Sequence, residues 1–332
     1  MRQASALLTP RAIRRANASR FSACGPTPGR RPTIATLATL RCCDDHWNPP
    51  PAFEGHFNVL RGYIGPLNLA GVKVVGDYVP NYLQNLPSEM ALLNLFDPRT
   101  GMPVAVIDAT ALTSMRTGAV TALGARHLAD PASKVLGHIG ARGTAYWNVR
   151  LLNRLFDFTE IRVHSRRPES RAAFAEQLEQ DLGKPVTVTA DWESCVRDAD
   201  IVVEASRLTA PAPMLKTSWI KTGALVVPYG TMSAVELSLT DPMDKVVVDD
   251  WGQCKSGKLG ALRPHVDSGA LTEDTLHGEL GEIVAGAKPG RESPTETNLF
   301  WHRGLSLSDI ALGHTLLEKG KRLGIGQQLR FA

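Results

Sequence analysis

Residues 138–149, HIGARGTAYWNV, contain the pattern that is most informative about the fold class. A turn that binds a dinucleotide usually follows the pattern G-x-G-x-x-G or G-x-G-x-x-A, whose second glycine lets the backbone approach a pyrophosphate. Here Gly140 and Ala145 stand at the first and last positions, while Arg142 replaces the middle glycine and Gly143 follows it. An apolar segment precedes this turn and a helical pattern follows it. We therefore predict an altered phosphate-binding turn; the alternative is an ordinary strand-to-helix turn that needs glycine.

The segments around this turn alternate between short apolar runs and amphipathic stretches. The apolar runs are KVLGHIG, EIRVHS, PVTVTA, ADIVVEAS, GALVVPYG and KVVVDDW, and helical patterns cover residues 144–155, residues 169–182 and a short stretch near Trp192. Such alternation with short connections predicts a parallel, doubly wound sheet of the Rossmann type. The predicted fold class is therefore α/β.

The regions on either side of this pattern are organised differently. On the N-terminal side, WNPPPAF predicts an extended arm, GVKVVGDYV a strand, MALLNLFDPRTGMPVAVIDA a hairpin with its turn at 97–101, and TSMRTGAVTALGARHLA a helix. At the C-terminal end, SDIALGHTLLEKGKRLG predicts a helix outside the alternation.

The composition of the 332-residue chain is that of a globular protein, with 43% hydrophobic and 21% charged residues. It has no apolar run of the roughly 18 residues that a membrane-spanning helix needs, so no membrane partner is expected. The five cysteines are odd in number and show no C-x-x-C spacing. We therefore expect free thiols and no metal site.

The positive charge of the chain lies at its N-terminus. The formal net charge is +4, but residues 1–43 contain eight arginines and no acidic residue, so the remaining chain carries −4. A basic tail does not indicate a nucleic-acid-binding face. Three interpretations of residues 1–43 stay open: an organelle transit peptide, a disordered leader, or a start codon assigned too far upstream. We expect a cytoplasmic protein, or an imported one if the leader is a transit peptide.

The end of the second predicted Rossmann strand carries the sequence VHSRRPES. Enzymes that prefer NAD usually have an acidic residue here, which accepts a hydrogen bond from the ribose 2′-hydroxyl. Ser165, Arg166 and Arg167 would instead donate to a 2′-phosphate. We predict NADP(H) as the preferred cofactor, with Ser165 and Arg166 at its 2′-phosphate, and NAD(H) as the alternative. A solvated basic turn is the other interpretation.

The chain resembles the ornithine cyclodeaminase/mu-crystallin family from about residue 71 to its C-terminus. The resemblance rests on the blocks GVKVVGDYVPN, DPRTGMPVAVIDATALTSMRTGAV, GARGTA, ADIVVEAS and GEIVAGAKPGRESPTETNLFWHRGLSLSDIAL. It implies a homodimer in which a Rossmann domain is inserted into a second, α+β domain for substrate binding and dimerisation. We place the Rossmann domain at 129–303 and the second domain at 44–128 plus 304–332, after the leader at 1–43.

The resemblance also implies site residues. Lys73 and Arg116 match the lysine and arginine that hold the substrate carboxylate near the nicotinamide, a task that suits a point charge and a guanidinium fork. Without the resemblance, they would be interpreted as an edge-strand lysine and a helix-surface arginine. The expected cofactor contacts are Gly140, Arg142, Gly143, Thr144, Ala145, Ser165, Arg166, Ala205, Ser206, Gly230 and Thr231.

Two departures from the family pattern bear on the reaction. Cyclodeaminases carry an aspartate just after the glycine that ends the fifth Rossmann strand, whereas Met232 occupies this place here and the imine-reducing, mu-crystallin-like branch also lacks the acid. His302 replaces a serine near the nicotinamide. A histidine with a near-neutral pKa is a candidate proton donor; the alternative is a packed histidine beside Trp301.

We therefore predict an NADP(H)-dependent oxidoreductase acting on C–N bonds of small imino or amino acids. The expected reaction is that of a pyrroline- or piperideine-2-carboxylate reductase, or an alanine-dehydrogenase-like one. Lys73, Arg116 and His302 are the expected catalytic residues. The alternatives are an ornithine cyclodeaminase-type ammonia lyase that uses NAD(P) catalytically, and a non-catalytic protein that binds a nucleotide or small molecule.

Overall fold

A computed structural model describes residues 46–47 and 55–330. The predicted leader at 1–43 and most of the predicted extended arm at 47–53 lie outside these residues. The cytoplasmic location and the import by a leader therefore stay predictions. None of the described helices is long and apolar enough to span a membrane. The described chain forms two separate sheets.

The smaller sheet is antiparallel, and its strands follow one another in chain order. They are β1 (His46–Trp47), β2 (His56–Ile64), β3 (Leu69–Asp77), β4 (Glu89–Phe96) and β5 (Pro103–Asp108). Two 3-10 helices, Gly65–Leu67 and Val79–Gln84, follow β2 and β3. The hairpin predicted around residues 97–101 is confirmed, because β4 and β5 pair on either side of this turn.

The larger sheet is parallel and follows the order β12-β11-β13-β10-β9-β6-β7-β8. Its strands are β6 (Val135–Ile139), β7 (Glu160–His164), β8 (Thr187–Val188), β9 (Ile201–Glu204), β10 (Leu225–Pro228), β11 (Lys245–Val248), β12 (Gly278–Glu279) and β13 (Asn298–Trp301). The α-helices are α1 (Thr110–Leu128), α2 (Ala145–Leu155), α3 (Pro168–Leu182), α4 (Trp192–Val196), α5 (Trp251–Ser256), α6 (Arg263–Ser268), α7 (Leu280–Val284) and α8 (Ser306–Leu323). The predicted α/β fold class is confirmed.

Two strands of the larger sheet were not expected from the sequence. β13 lies between β10 and β11 although it follows both along the chain, and β12 forms an edge. All four residues of β13 are buried, because a parallel strand in the middle of a sheet is covered on both faces. Its residues NLFW contain no β-branched side chain, so they lack the Val- and Ile-rich composition that marked the predicted buried strands.

The smaller sheet has one buried and one open face. Leu69, Val75, Leu93 and Leu95 lie on the inner face and form a core with Ile310 of α8. The outer face carries the exposed apolar residues Val59, Tyr63, Leu92 and Val106. A sheet that is apolar on both faces is typical of one whose second face is covered by another protein surface.

Helix α1 connects the two sheets. It packs on β4 and α8 at the smaller sheet, and on α2 and β13 at the larger one. Gly118 lets α1 approach α2 closely: a Cβ at this position would lie 2.6 Å from the carbonyl carbon of Trp147. The boundaries predicted for the two domains, which fall at the end of α1 and before α8, stay predictions.

We expect Gly118→Ala to destabilise the protein, because the added methyl group meets the backbone of α2. Overpacking of this kind costs about 1–3 kcal/mol. Gly281→Ala is the matched control, since Gly281 also lies in a helix and an added Cβ there meets nothing within 4 Å. Urea unfolding should show a lower midpoint for Gly118→Ala alone. Equal midpoints in both variants would contradict the close packing of α1 on α2.

Candidate functional site

The predicted site residues meet where the smaller sheet and helices α1 and α8 face the carboxyl edge of the larger sheet. In an open α/β sheet, ligands bind at the carboxyl ends of the strands, where the strand order reverses. Here this point lies between β6 and β9, since the chain runs from β6 to β7 and β8 on one side and then crosses to β9 on the other.

The altered turn follows β6 directly. Gly140 has a φ of +111°, and a Cβ there would lie 2.7 Å from the carbonyl oxygen of Ala205. Gly143 also has a positive φ, +59°, whereas Arg142 does not. The middle position therefore accepts a side chain, and the Arg142 guanidinium leaves the turn to donate to Ser170 Oγ at 3.2 Å. The turn after β6 therefore still needs the glycine at position 140, because only glycine lets it lie this close to the end of β9.

A neutral polar network supports this turn, and sequence reasoning did not identify it. Tyr229, which follows β10, pairs its hydroxyl with Thr144 Oγ1 at 2.6 Å and also accepts from Asn148. Asn148 in turn lies 3.0 Å from His138 Nε2. Burial raises the pKa of Tyr229 to about 12 and lowers the pKa of His138 to about 4. Both groups are therefore uncharged near pH 7.

The ends of β9 and β10 are joined by a buried carboxyl group. Glu204 accepts from the backbone N–H of Ser206 at 2.7 Å and of Gly230 at 3.3 Å. Burial raises the pKa of Glu204 to about 7. Thr231 N–H donates to the Ser206 carbonyl at 3.2 Å. Four predicted cofactor contacts, at 205–206 and 230–231, are thereby brought together, and Glu204 is a functional candidate that sequence reasoning missed.

The residues predicted for the ribose end follow β7. Ser165 Oγ donates to the carbonyl of Arg167 at 3.2 Å. Arg166 is exposed and makes no hydrogen bond or ion pair within residues 46–47 and 55–330. Arg167 lies over the ring of Tyr82, with its guanidinium carbon 4.9 Å from the ring centroid. The structure therefore brings Arg167, not Arg166, into contact with another element.

Lys73, Arg116 and Asp309 form a buried cluster beside this edge. Lys73 Nζ donates to Asp309 Oδ1 at 2.7 Å, and Arg116 Nε donates to the same oxygen at 3.1 Å. Burial, and next the charge of Arg116, lower the pKa of Lys73 to about 8 against the opposing effect of Asp309. Asp309 Oδ2 is buried and has no hydrogen-bond partner among the described residues. We call these three residues the clamp.

The loop after β13 packs against the Arg116 side chain of the clamp. Asp249, at the end of β11, accepts from the backbone N–H of Arg303 at 2.9 Å and of Gly304 at 2.7 Å. Gly304 has a φ of +87°, and a Cβ at this position would overlap the Arg116 guanidinium. Asp249 therefore fixes a glycine that leaves room for Arg116. The neighbouring Asp250 accepts from Gln253 N–H and caps α5.

His302 lies in the same loop but is not a group that titrates near neutral pH. Its ring stacks on Tyr229 with centroids 4.5 Å apart, and Nε2 lies 2.9 Å from Thr121 Oγ1. Burial, and next the charge of Arg116, lower the pKa of His302 to about 3. The near-neutral pKa expected from the sequence is therefore wrong, because the imidazole is buried, as in the alternative of a packed histidine.

The sequence pattern of the ornithine cyclodeaminase/mu-crystallin family matches residues 48–322. Among curated proteins, the alanine dehydrogenase of Archaeoglobus fulgidus is 32% identical over 290 residues, which are 85% of this chain and 87% of that protein. The structure of the Δ1-pyrroline-2-carboxylate reductase of Thermococcus litoralis in complex with NADH and L-proline has a TM-score of 0.78 and 28% identity, covering 84% of this chain and 87% of that one. An archaeal alanine dehydrogenase dimer with bound NAD has a TM-score of 0.76 and 29% identity, covering 87% and 89%.

We expect Asp309→Asn to destabilise the protein at pH 7, because it leaves two buried cations without an anion. Breaking a buried ion pair in this way costs about 3–5 kcal/mol of unfolding free energy. The double variant Lys73→Met/Asp309→Asn leaves only one cation and should lose less. Denaturant unfolding at fixed pH compares the two. A single variant as stable as the wild type would show that the clamp is not a charged cluster.

Proposed function

The chain belongs to the ornithine cyclodeaminase/mu-crystallin family, and we propose that it is an NADP(H)-dependent oxidoreductase that reduces the C=N bond of small imino acids. Cyclic 2-carboxylates of the pyrroline or piperideine type are the leading substrates. Reductive amination of a small 2-oxo acid, as for an alanine dehydrogenase, is the nearest variant. More generally, the protein is similar to nicotinamide-dependent oxidoreductases of amino acid metabolism.

The observation that carries the proposal is the unequal use of the two Asp309 oxygens. Oδ1 is shared by Lys73 and Arg116, whereas the buried Oδ2 has no partner in the described part of the chain. A buried acceptor without a donor is costly, so a donor from a ligand is favoured there. An imino acid supplies both complements: its carboxylate pairs with the two cations, and its protonated nitrogen donates to Oδ2.

The carboxyl edge of the larger sheet fits a nicotinamide nucleotide. Gly140 and Gly230 both leave space that a side chain would fill: a Cβ at Gly140 would lie 2.7 Å from the Ala205 carbonyl oxygen, and a Cβ at Gly230 would lie 2.7 Å from Glu204 Oε2. Residues 140 and 143–145 would hold the pyrophosphate, Ser165 and the residues packed around it the adenosine ribose, and residues 205–206 and 230–231 the nicotinamide. When bound, the nucleotide supplies the hydride. NADP(H) is proposed over NAD(H) because the ribose end carries arginines and no acidic partner.

The residues of this chain then have separate tasks. Lys73 and Arg116 bind and orient the carboxylate, so that the imine carbon faces the nucleotide. Asp309 holds the proton on the substrate nitrogen, a position for which Met232 offers no acid. His302 packs on Tyr229 as a neutral imidazole. It does not act as the proton donor that we expected from the sequence. His302 and Tyr229 are uncharged near pH 7, so the clamp supplies the charges that orient the substrate.

The test is turnover with defined substrates. Net NADPH oxidation with a cyclic imino acid marks the reductase; ammonia release from ornithine without net NADPH change marks a lyase and contradicts the proposal. If the protein shows neither activity, it is a binding protein, and the proposal is wrong. Arg116→Lys keeps the charge but loses the planar fork, so kcat/KM for the imino acid should fall while NADPH affinity stays unchanged. A variant that weakens NADPH and leaves the imino acid unaffected would place Arg116 in the cofactor site.

We also propose that the protein is a homodimer formed through the outer face of the smaller sheet. On neighbouring strands, Val59, Val74 and Leu92 lie opposite one another and form an apolar row. Val106 on β5 extends this face and is 66% exposed. A contiguous apolar surface of this kind is typical of a protein interface. The archaeal alanine dehydrogenase described above is a dimer.

Leu92→Asp should convert the dimer into a monomer, because it places a second charge beside Asp108 and shortens the apolar row. Light scattering after size-exclusion chromatography measures the mass directly. Leu237→Asp is the control, since Leu237 has a similar exposed fraction, 50% against 52%, but lies beside the larger sheet. It should leave the mass unchanged. A Leu92→Asp protein that remains a dimer would exclude this face as the interface.

A further inference from the structure

Arginines of two loops converge on one tyrosine at the adenosine end of the cofactor site. Tyr82 lies in the 3-10 helix Val79–Gln84, which joins β3 to β4 and so belongs to the smaller sheet. The guanidinium carbon of Arg142 lies 5.2 Å from the centroid of its ring, and that of Arg167 lies 4.9 Å from it. Arg167 Nη2 also donates to the Tyr82 hydroxyl at 3.4 Å. The three residues come from the altered turn, the β7–α3 connection and the smaller sheet.

The positive charges of this cluster are not neutralised. Arg142, Arg166 and Arg167 form no ion pair with any described carboxylate, and the nearby Glu169 is not paired with them. Arg171 donates only to neutral acceptors on His164, Ser165 and Ala190. Guanidinium groups held near one another repel. Such an arrangement is stabilised when an anion binds between or beside them.

The position of the cluster identifies the part of a nucleotide that would reach it. It lies beyond the carboxyl end of β7 and before the 15-residue helix α3, whose N-cap residue is Arg167. In Rossmann domains this is where the adenosine ribose binds. The start of α3 adds unpaired backbone N–H groups and the positive end of the helix dipole. An anion attached to the ribose would therefore lie close to both the altered turn and the β7–α3 connection.

We propose that Arg142, Arg167 and Tyr82 form a phosphomonoester site for the 2′-phosphate of the adenosine ribose, with Arg166 outside it. The proposal rests on the proposed function and names the residues that would discriminate between the two nucleotides. Tyr82 holds the faces of the two guanidinium groups by cation–π contact, which leaves their N–H edges for phosphate oxygens. Arg142 thus has a task that explains an arginine at the middle position of the turn.

The site also links the cofactor to the smaller sheet. The Tyr82 helix follows β3, which carries Lys73 of the clamp, and precedes β4. A second contact spans the same cleft, since Arg207 pairs with Asp77 and lies 3.5 Å from Glu89 at the facing ends of β3 and β4. A bound 2′-phosphate would therefore hold the segment between β3 and β4 against the larger sheet.

The test compares two probes that lack a nicotinamide, adenosine 2′,5′-bisphosphate and adenosine 5′-monophosphate, by titration calorimetry on the full chain. The wild type should bind the bisphosphate more tightly. Arg142→Gln and Arg167→Gln should each weaken the bisphosphate about tenfold or more, the scale of a hydrogen bond to a charged group, and leave the monophosphate unchanged. Arg166→Gln is the matched control and should change neither affinity.

Substitutions of Tyr82 separate the ring from the hydroxyl. Tyr82→Phe keeps the cation–π contacts and should keep most of the bisphosphate affinity, whereas Tyr82→Ala should lose several-fold. Tighter binding by Tyr82→Ala would overturn the role of Tyr82, because it would mean that the ring blocks the site. All these side chains are exposed, and circular dichroism checks that each variant folds.

The remaining outcomes separate this inference from the proposed function. Arg166→Gln could instead be the variant that binds the bisphosphate more weakly, while Arg142→Gln and Arg167→Gln bind it as the wild type does. The NADP(H) preference would then stand, and the assignment of the phosphate site to Arg142, Arg167 and Tyr82 would be wrong. If the wild type binds both probes equally, the NADP(H) preference itself fails, and the phosphate site fails with it. A reductase active with NADH would then remain.

Discussion

The rest of the site depends on the buried ion pairs that Asp309 forms with Lys73 and Arg116. The Asp309 carboxylate holds Lys73 and Arg116 through one oxygen, and so ties a strand of the smaller sheet to the two helices that flank it. Buried ion pairs rarely stabilise a fold more than apolar packing would, because the charges lose their hydration. A cluster of two cations and one carboxylate is therefore better explained by ligand recognition than by stability. The glycine at 304 and the carboxylate of Asp249 serve the same cluster by making room for Arg116.

Several buried titratable groups between the clamp and the altered turn are uncharged near pH 7. Burial pushes the pKa of His138 and His302 far below 7 and the pKa of Tyr229 far above it. Glu204, with a pKa of about 7, is the exception, and both its carboxyl oxygens are engaged by backbone N–H groups. A small zwitterionic substrate would thus be oriented mainly by Lys73, Arg116 and Asp309.

The sequence predicted what local patterns encode. Alternating apolar and amphipathic segments identified the parallel sheet, and the glycines at 140 and 143 identified the turn that opens it. The family blocks added Lys73 and Arg116, which no periodicity singles out. Asp309 was missed because it lies 236 residues from Lys73, and only the fold makes them neighbours. The pKa of His302 was mispredicted because burial cannot be inferred from the residue type.

The pH dependence of kcat/KM for the imino acid tests the clamp most directly. Lys73, with a pKa of about 8, is charged below that pH and loses its charge above it, so it holds a carboxylate only on the acid side. Because kcat/KM reports groups of the free enzyme, it should fall as the pH rises through about 8. Lys73→Arg keeps its charge throughout this range, so the fall should disappear or move to higher pH with the same substrate. The same fall in both proteins would show that Lys73 is not the group whose charge is lost, since the titrating group would then be the substrate or another residue.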